Sequence, residues 1–133
     1  MVFDSILLDN LSAQAKVNPR LRQLYDLRES EDSELQQILN ALEPGTIFKI
    51  HKHPISTSNL IVLRGAIRHY TYDDNGNVLE QIDLYVKDGF QQLIVIEPNV
   101  WHSLECLETG TVIYENKNGK YDPNTDSVFF EDK

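Results

Sequence analysis

A chain of 133 residues, 41% hydrophobic and 25% charged, has the size and balance of one globular domain able to bury a core. Its formal net charge of −9 excludes the basic surface needed to track nucleic-acid phosphates or coat an anionic membrane. A single cysteine rules out an intramolecular disulfide. No stretch is long and apolar enough to span a bilayer, and Met1-Val2-Phe3-Asp4-Ser5 lacks the basic start and apolar run of a signal peptide, so a cytoplasmic location is the expectation.

In chain order, Ile6, Leu7, Leu11 and Ala15 recur at helical spacing, with Asp4 or Ser5 as cap and Pro19 as a stop. Arg20 to Asp32 is polar, anchored by Leu24, Tyr25 and Leu27, and has room for a short extended piece. Leu35 to Leu42 fits a helix or a strand. Glu43-Pro44-Gly45 reads as a turn, and Thr46 to Lys52 alternates as a strand. Leu60 to Leu63 is a buried strand ending at Gly65, continued by Ile67 to Tyr72. Asp73-Asp74-Asn75-Gly76-Asn77 is a hairpin signal. Strands are then expected over 78–86, 91–96, 100–104 and 111–115, punctuated by Lys87-Asp88-Gly89, Glu97-Pro98-Asn99 and Glu108-Thr109-Gly110. The tail from Asn116 is polar, with Tyr121, Phe129 and Phe130 able to fold back. Short strands between Gly, Pro and Asn turns indicate a β-sandwich or barrel.

His51 and His53 are two of only four histidines. One residue apart on a strand, they share a face, where two neutral imidazoles can grip one metal ion. His102 opens a later strand that a closed barrel can bring to the pair. Three imidazoles leave coordination positions open for water or substrate, as catalytic sites do.

These residues carry a resemblance. Gly45, five residues, His51-Lys52-His53 and a strand ending at Gly65 resemble the first cupin motif, and Gly89 through Pro98 to His102 resembles the second. The chain is similar in particular to the WbuC family of cupin metalloproteins. That likeness rests on Asn18-Pro19-Arg20, Asn40-Ala41-Leu42-Glu43-Pro44-Gly45, His51-Lys52-His53-Pro54, Val62-Leu63-Arg64-Gly65, Asp73-Asp74-Asn75-Gly76, Trp101-His102-Ser103-Leu104 and Tyr121-Asp122-Pro123. It runs from about Leu11 to Phe129.

The resemblance implies an all-β fold, a jelly-roll β-barrel with a short N-terminal α-helix. It favours a strand for Leu35 to Leu42. It implies one cupin domain over 1–133, with a helix and arm at 1–34, the barrel at 35–116 and a tail at 117–133. It also implies one divalent ion, zinc, iron, manganese or nickel, held by His51, His53 and His102. Cupins often pair through their sheets, so it allows a homodimer.

Two departures from the cupin pattern stand out. The glutamate expected a few residues after the histidine pair is Ser58, a poor neutral ligand beside a carboxylate. Such a site is a three-histidine one, or takes its carboxylate from elsewhere, or has lost tight metal binding. Asn99 replaces the glycine before the last histidine, and Asn tolerates the left-handed conformation that the turn needs.

Other polar residues read as structural. His69 lies in an apolar strand outside both motifs and is expected in the cavity wall or on the surface. Cys106 shares parity with His102, but four strand residues span about 13 Å, so both cannot reach one metal. A buried, inert thiol is expected. Trp101, of opposite parity, is expected between the sheets. Glu105 and Glu115 would serve as acid or base only by facing the cavity, and neither is given a role. Gln92 is read as a polar residue in a buried strand that must find a partner. Arg64 or Arg68 could hold an anion bidentately, with surface exposure the default for both.

The leading functional expectation is a small metal-binding cupin that acts on or binds a small molecule, with sugar or surface-polysaccharide chemistry suggested by the resemblance alone. The alternatives are an iron dioxygenase-like enzyme, similar to three-histidine cupins, and a ligand-binding sensor without catalysis. A cavity holding the histidines and no further convergent polar groups would favour the sensor.

Overall fold

The structure is a computed structural model and describes residues 2–133. Helix α1 spans Ser5–Val17, and the Asp4 side chain caps it by accepting from Leu7 N at 3.0 Å, which satisfies one of the free amides of the first turn. Lys16 complements the dipole in its last turn. The strands follow as β1 (Arg22–Asp26), β2 (Leu35–Leu42), β3 (His51–Lys52), β4 (Ser58–Arg64), β5 (Ala66–Tyr72), β6 (Val78–Tyr85), β7 (Leu93–Ile96), β8 (Trp101–Cys106), β9 (Thr111–Asn118) and β10 (Val128–Phe129), closed by a 3₁₀ turn at Phe130–Asp132.

They form two antiparallel sheets of five strands, in the orders β1-β2-β9-β4-β7 and β10-β3-β8-β5-β6. This is the expected cupin jelly roll with one short N-terminal helix. The inner faces enclose a core of Leu42, Leu60, Val62, Ile67, Leu84, Cys106 and Ile113. Leu11 and Ala15 of α1 cover the outer face of the first sheet, against Leu39, Ala41 and Val112. Each such fully buried leucine contributes about 2 kcal/mol. That cover explains why β2 is apolar on both faces, and therefore why its sequence also fits a helix. Among the described residues no helix is long and apolar enough to cross a membrane.

The arm after α1 holds the short extended piece expected of it: β1 pairs with β2 in register Arg22↔Leu42 and extends the first sheet. Other local expectations are corrected. The segment 46–50 runs without ladder bonds, and only His51–Lys52 counts as strand. Residues 67–72 do not continue the strand before Gly65, because β4 belongs to one sheet and β5 to the other. Gly65, at φ +75, turns the chain from one sheet to the other. Trp101 does not lie between the sheets. It is on the outer face of the second sheet, edge-on to Phe130 at 5.4 Å with Lys52 Nζ 4.5 Å over its ring. The tail folds back as expected through Phe129 in β10 and Phe130.

Candidate metal centre

His51 and His102 are direct partners across β3 and β8, which stacks their side chains on the inner face of one sheet. His53 follows two residues on with the same parity. Its carbonyl accepts from Asn99 N at 2.8 Å, and Asn99 is left-handed at φ 67, the conformation expected of it. The turn that replaces the usual glycine thereby ties one histidine to the approach of another. Ring centroids lie 4.3 Å apart for His51–His102, 5.0 Å for His51–His53 and 5.2 Å for His53–His102. One ligand atom from each falls within 4.8 Å of the others.

The hydrogen bonds specify the tautomers. Nδ1 of His51 meets Lys49 O at 2.8 Å, that of His53 meets Asp126 O at 2.9 Å, and that of His102 meets Val100 O at 2.9 Å. A carbonyl oxygen only accepts, so all three Nδ1 atoms carry the proton and donate. In the neutral ring each Nε2 then keeps its lone pair, as a metal ligand must. The donor set therefore fits a borderline transition ion such as zinc, iron or nickel. Burial works in the same direction. It pushes His102 down to about 2, helped by the neighbouring His51, and it also lowers His53, with Lys117 adding to the effect. Neutral imidazoles are the state that binds a cation.

The fourth histidine is a wall residue, as expected. His69 is 3% exposed and stacks on His102 at 5.7 Å. Burial and then His51 push it down to about 4. The sign of the pH effect follows. Unfolded imidazoles titrate near 6.5, so between there and pH 4 the unfolded chain takes up protons that the folded chain refuses. Stability is whole above pH 6.5 and lost as the pH falls. Thermal melts of metal-free protein should show this loss between pH 6.5 and 4, with His69 accounting for about 3 kcal/mol. The His69→Gln variant should show a visibly shallower fall.

The three histidines open onto a cavity of about 680 Å³ between the sheets. Ser58 is fully buried and donates to Glu115 Oε2 at 2.7 Å. The carboxylate missing from β4 thus stands next door on β9, facing the cavity. Its oxygens are not part of the three-histidine cluster. Deeper on β9, Lys117 Nζ pairs with Asp126 at 2.9 Å, and both are largely buried. Burial raises the Asp126 carboxyl, but Lys117 and the Ser127 hydroxyl outweigh it and hold it below the usual carboxylate range. The backbone carbonyl of Asp126 is the one that orients His53.

The remaining polar residues are structural. Arg64 pairs with Asp9 at 2.6 Å and Arg68 with Asp83 at 2.7 Å, both outside the barrel. Glu105 accepts from Tyr70 on the outer face, and Tyr72 bonds Ser103. Gln92 is exposed, precedes β7 and donates to Val62 O, so it is not the buried strand residue expected. The Cys106 thiol lies in the core and is pushed up by burial, the inert state expected. Arg20 and Arg22, to which the sequence alone assigned no functional role, line the cavity. The signal was present in the alternation Arg20, Arg22, Leu24 along an extended piece.

Fold and site together define a cupin barrel with a three-histidine cluster that could hold a divalent metal. The chain belongs to the family described as Domain of unknown function (DUF6016), which matches residues 3–84. No curated protein matches the sequence. Among solved structures it is similar to KdgF from Halomonas sp., at 17% identity and TM-score 0.62, over 80% of this chain and 86% of that one. It is similar to oxalate decarboxylase from Bacillus subtilis at 19% identity and TM-score 0.62, over 81% of this chain and 27% of that one. CapF, solved with the inhibitor 3-isopropenyl-tropolone, matches at 23% identity and TM-score 0.66, over 85% of this chain and 32% of that one. The chain thus spans about a quarter to a third of the last two. At these identities the likeness shows the fold.

Proposed function

We propose that this protein is a metal-dependent cupin acting on a small molecule, with one divalent transition ion held by His51, His53 and His102. The observation that carries the reading is the set of three Nδ1–H bonds to backbone carbonyls, which in the neutral rings turns three Nε2 lone pairs to one cluster. The likeness to WbuC proteins and the cupin fold support it. Such an ion would polarise a carbonyl or activate water.

The chain's own groups set the rest of the chemistry. Ser58 engages one oxygen of Glu115 and leaves Oε1 without a protein partner among the described residues, so Glu115 is placed to take or give a proton at a bound molecule. His69 Nε2 is buried without a hydrogen-bond partner among the described residues, so a ligand hydroxyl or carbonyl could satisfy it. These convergent polar groups favour turnover over a passive sensor. Every group named comes from one chain, so the site works in a monomer or in the homodimer that cupins commonly form.

The test is elemental analysis of protein purified without chelator, together with oxygen uptake. About one transition ion per chain is expected. No metal, even after reconstitution, overturns the reading. Zinc or manganese without oxygen uptake points to isomerisation or hydrolysis, whereas iron with uptake points to a dioxygenase.

A further inference from the structure

The chain carries an excess of acids, yet two of its arginines lack an acidic partner among the described residues, and both line the cavity of the three histidines. There are five arginines. Arg28 pairs with Asp26 at 2.8 Å, Arg64 with Asp9 and Arg68 with Asp83. Arg20 and Arg22 have no carboxylate within 4 Å and no side-chain hydrogen bond among the described residues. With 21 acidic residues available, two arginines left unpaired in one cavity stand apart from the other three, each of which has a carboxylate partner. The lysines of the same cavity are already engaged, Lys49 by Glu131 and Lys117 by Asp126.

The local backbone is built to present them. Leu21, between the two, has φ 55, a left-handed conformation that costs a branched side chain about 1 kcal/mol. It is held there because its carbonyl accepts from Glu43 N at 3.0 Å and from Thr46 Oγ1 at 2.6 Å. Past this bend the chain enters β1, where alternate residues Arg22 and Leu24 face the cavity. The Arg22 guanidinium sits 5.1 Å over the Phe48 ring. Stacking on the ring face restrains the group and leaves its N–H edge free.

We infer that Arg20 and Arg22 form an oxyanion subsite, so that the molecule taken by this cavity carries a carboxylate or a phosphate monoester. The inference rests on the proposed metal site only for what the other end of that molecule meets. A guanidinium stays charged at any working pH and matches either anion with paired N–H donors. Its counter-ion is absent from the protein because the ligand supplies it. The wall between the two ends is apolar, formed by Leu24, Phe48, Leu60 and Ile113, which suits a short carbon skeleton.

The test uses metal-free full-length protein, so that no anion can bind through a metal. Inorganic phosphate and malonate are titrated calorimetrically at fixed ionic strength, with glycerol as the neutral control. At least one anion should bind, and the stronger of the two names the source chemistry. Arg20→Gln/Arg22→Gln should weaken it at least about tenfold, and Arg22→Lys, which keeps the charge and loses the fork, should weaken it less. Equal binding to wild type and the double variant, or no binding of either anion to wild type, overturns the inference. Zinc titration of both proteins is the separate readout. Retained zinc binding shows the variant's cavity is intact, and if it is lost the single Arg20→Gln variant, at an exposed position, decides. Arg-dependent anion binding without zinc binding in wild type would overturn the metal reading alone, and zinc binding without Arg-dependent anion binding would overturn this inference alone.

Discussion

Replacing His102 with alanine is expected to lower the affinity for a divalent transition ion by more than about a hundredfold. Loss of a residue that merely orients a ligand costs roughly 10–100-fold, and His102 is proposed as a ligand itself. Its ring stands against both of the others, 4.3 Å from His51 and 5.2 Å from His53. The measurement is competition against a chelator of known affinity, together with melting curves. Metal should raise the melting temperature of wild type in proportion to the logarithm of its concentration over Kd, and should leave the variant unmoved. Because His102 is buried, its removal also leaves a hole. The half-buried His51 therefore provides the second variant, and His51→Ala should lose affinity comparably with less disturbance of the core. Unchanged affinity in both variants would show that the ion, if any, binds elsewhere.

The largest structural effect is expected at Gly65, where alanine should cost about 3 kcal/mol or more and lower the melting temperature by roughly 10 °C. Two causes act together. The residue has φ +75, and an added Cβ would strike Thr111 Oγ1 and come within 2.9 Å of Thr111 Cα, an atom of the backbone that cannot swing away. Thr111 cannot retreat, because its hydroxyl bonds the Ala66 backbone and Glu108 O at the corner between the sheets. Gly110 separates the two causes. It has the same φ of +75 with nothing near its absent Cβ, so Gly110→Ala should show the backbone cost alone, about 1 kcal/mol. Equal melting temperatures for the two variants would remove the close approach from the explanation.

Much of the barrel is legible in the linear chain because its determinants are local. Turn residues such as Asp73-Asp74-Asn75-Gly76 specify a hairpin by their own backbone preferences. The alternation of His51 and His53 places both rings on one face wherever that strand lies. Asn99 could be read as left-handed because its side chain tolerates that region. These are properties of a few neighbouring residues, and folding does not alter them.

What the sequence left open depends on which strands lie side by side. Ser58 reads as a lost ligand until β9 is set against β4, when Glu115 stands at its hydroxyl. Glu105 and Glu115 are alike as letters, yet one faces outward to Tyr70 and the other into the cavity. Arg64 and Arg68 read as exposed by default yet able to hold an anion, and the fold brings Asp9 and Asp83 to them from 55 and 15 positions away. Strand alternation alone put His51 and His53 on one face, whereas the approach of His102, the carboxylate, the paired arginines and the unpaired Arg20 and Arg22 follow from long-range register. A charge has a partner or lacks one only once distant segments have been brought within a few ångströms, and that is a property of the closed barrel.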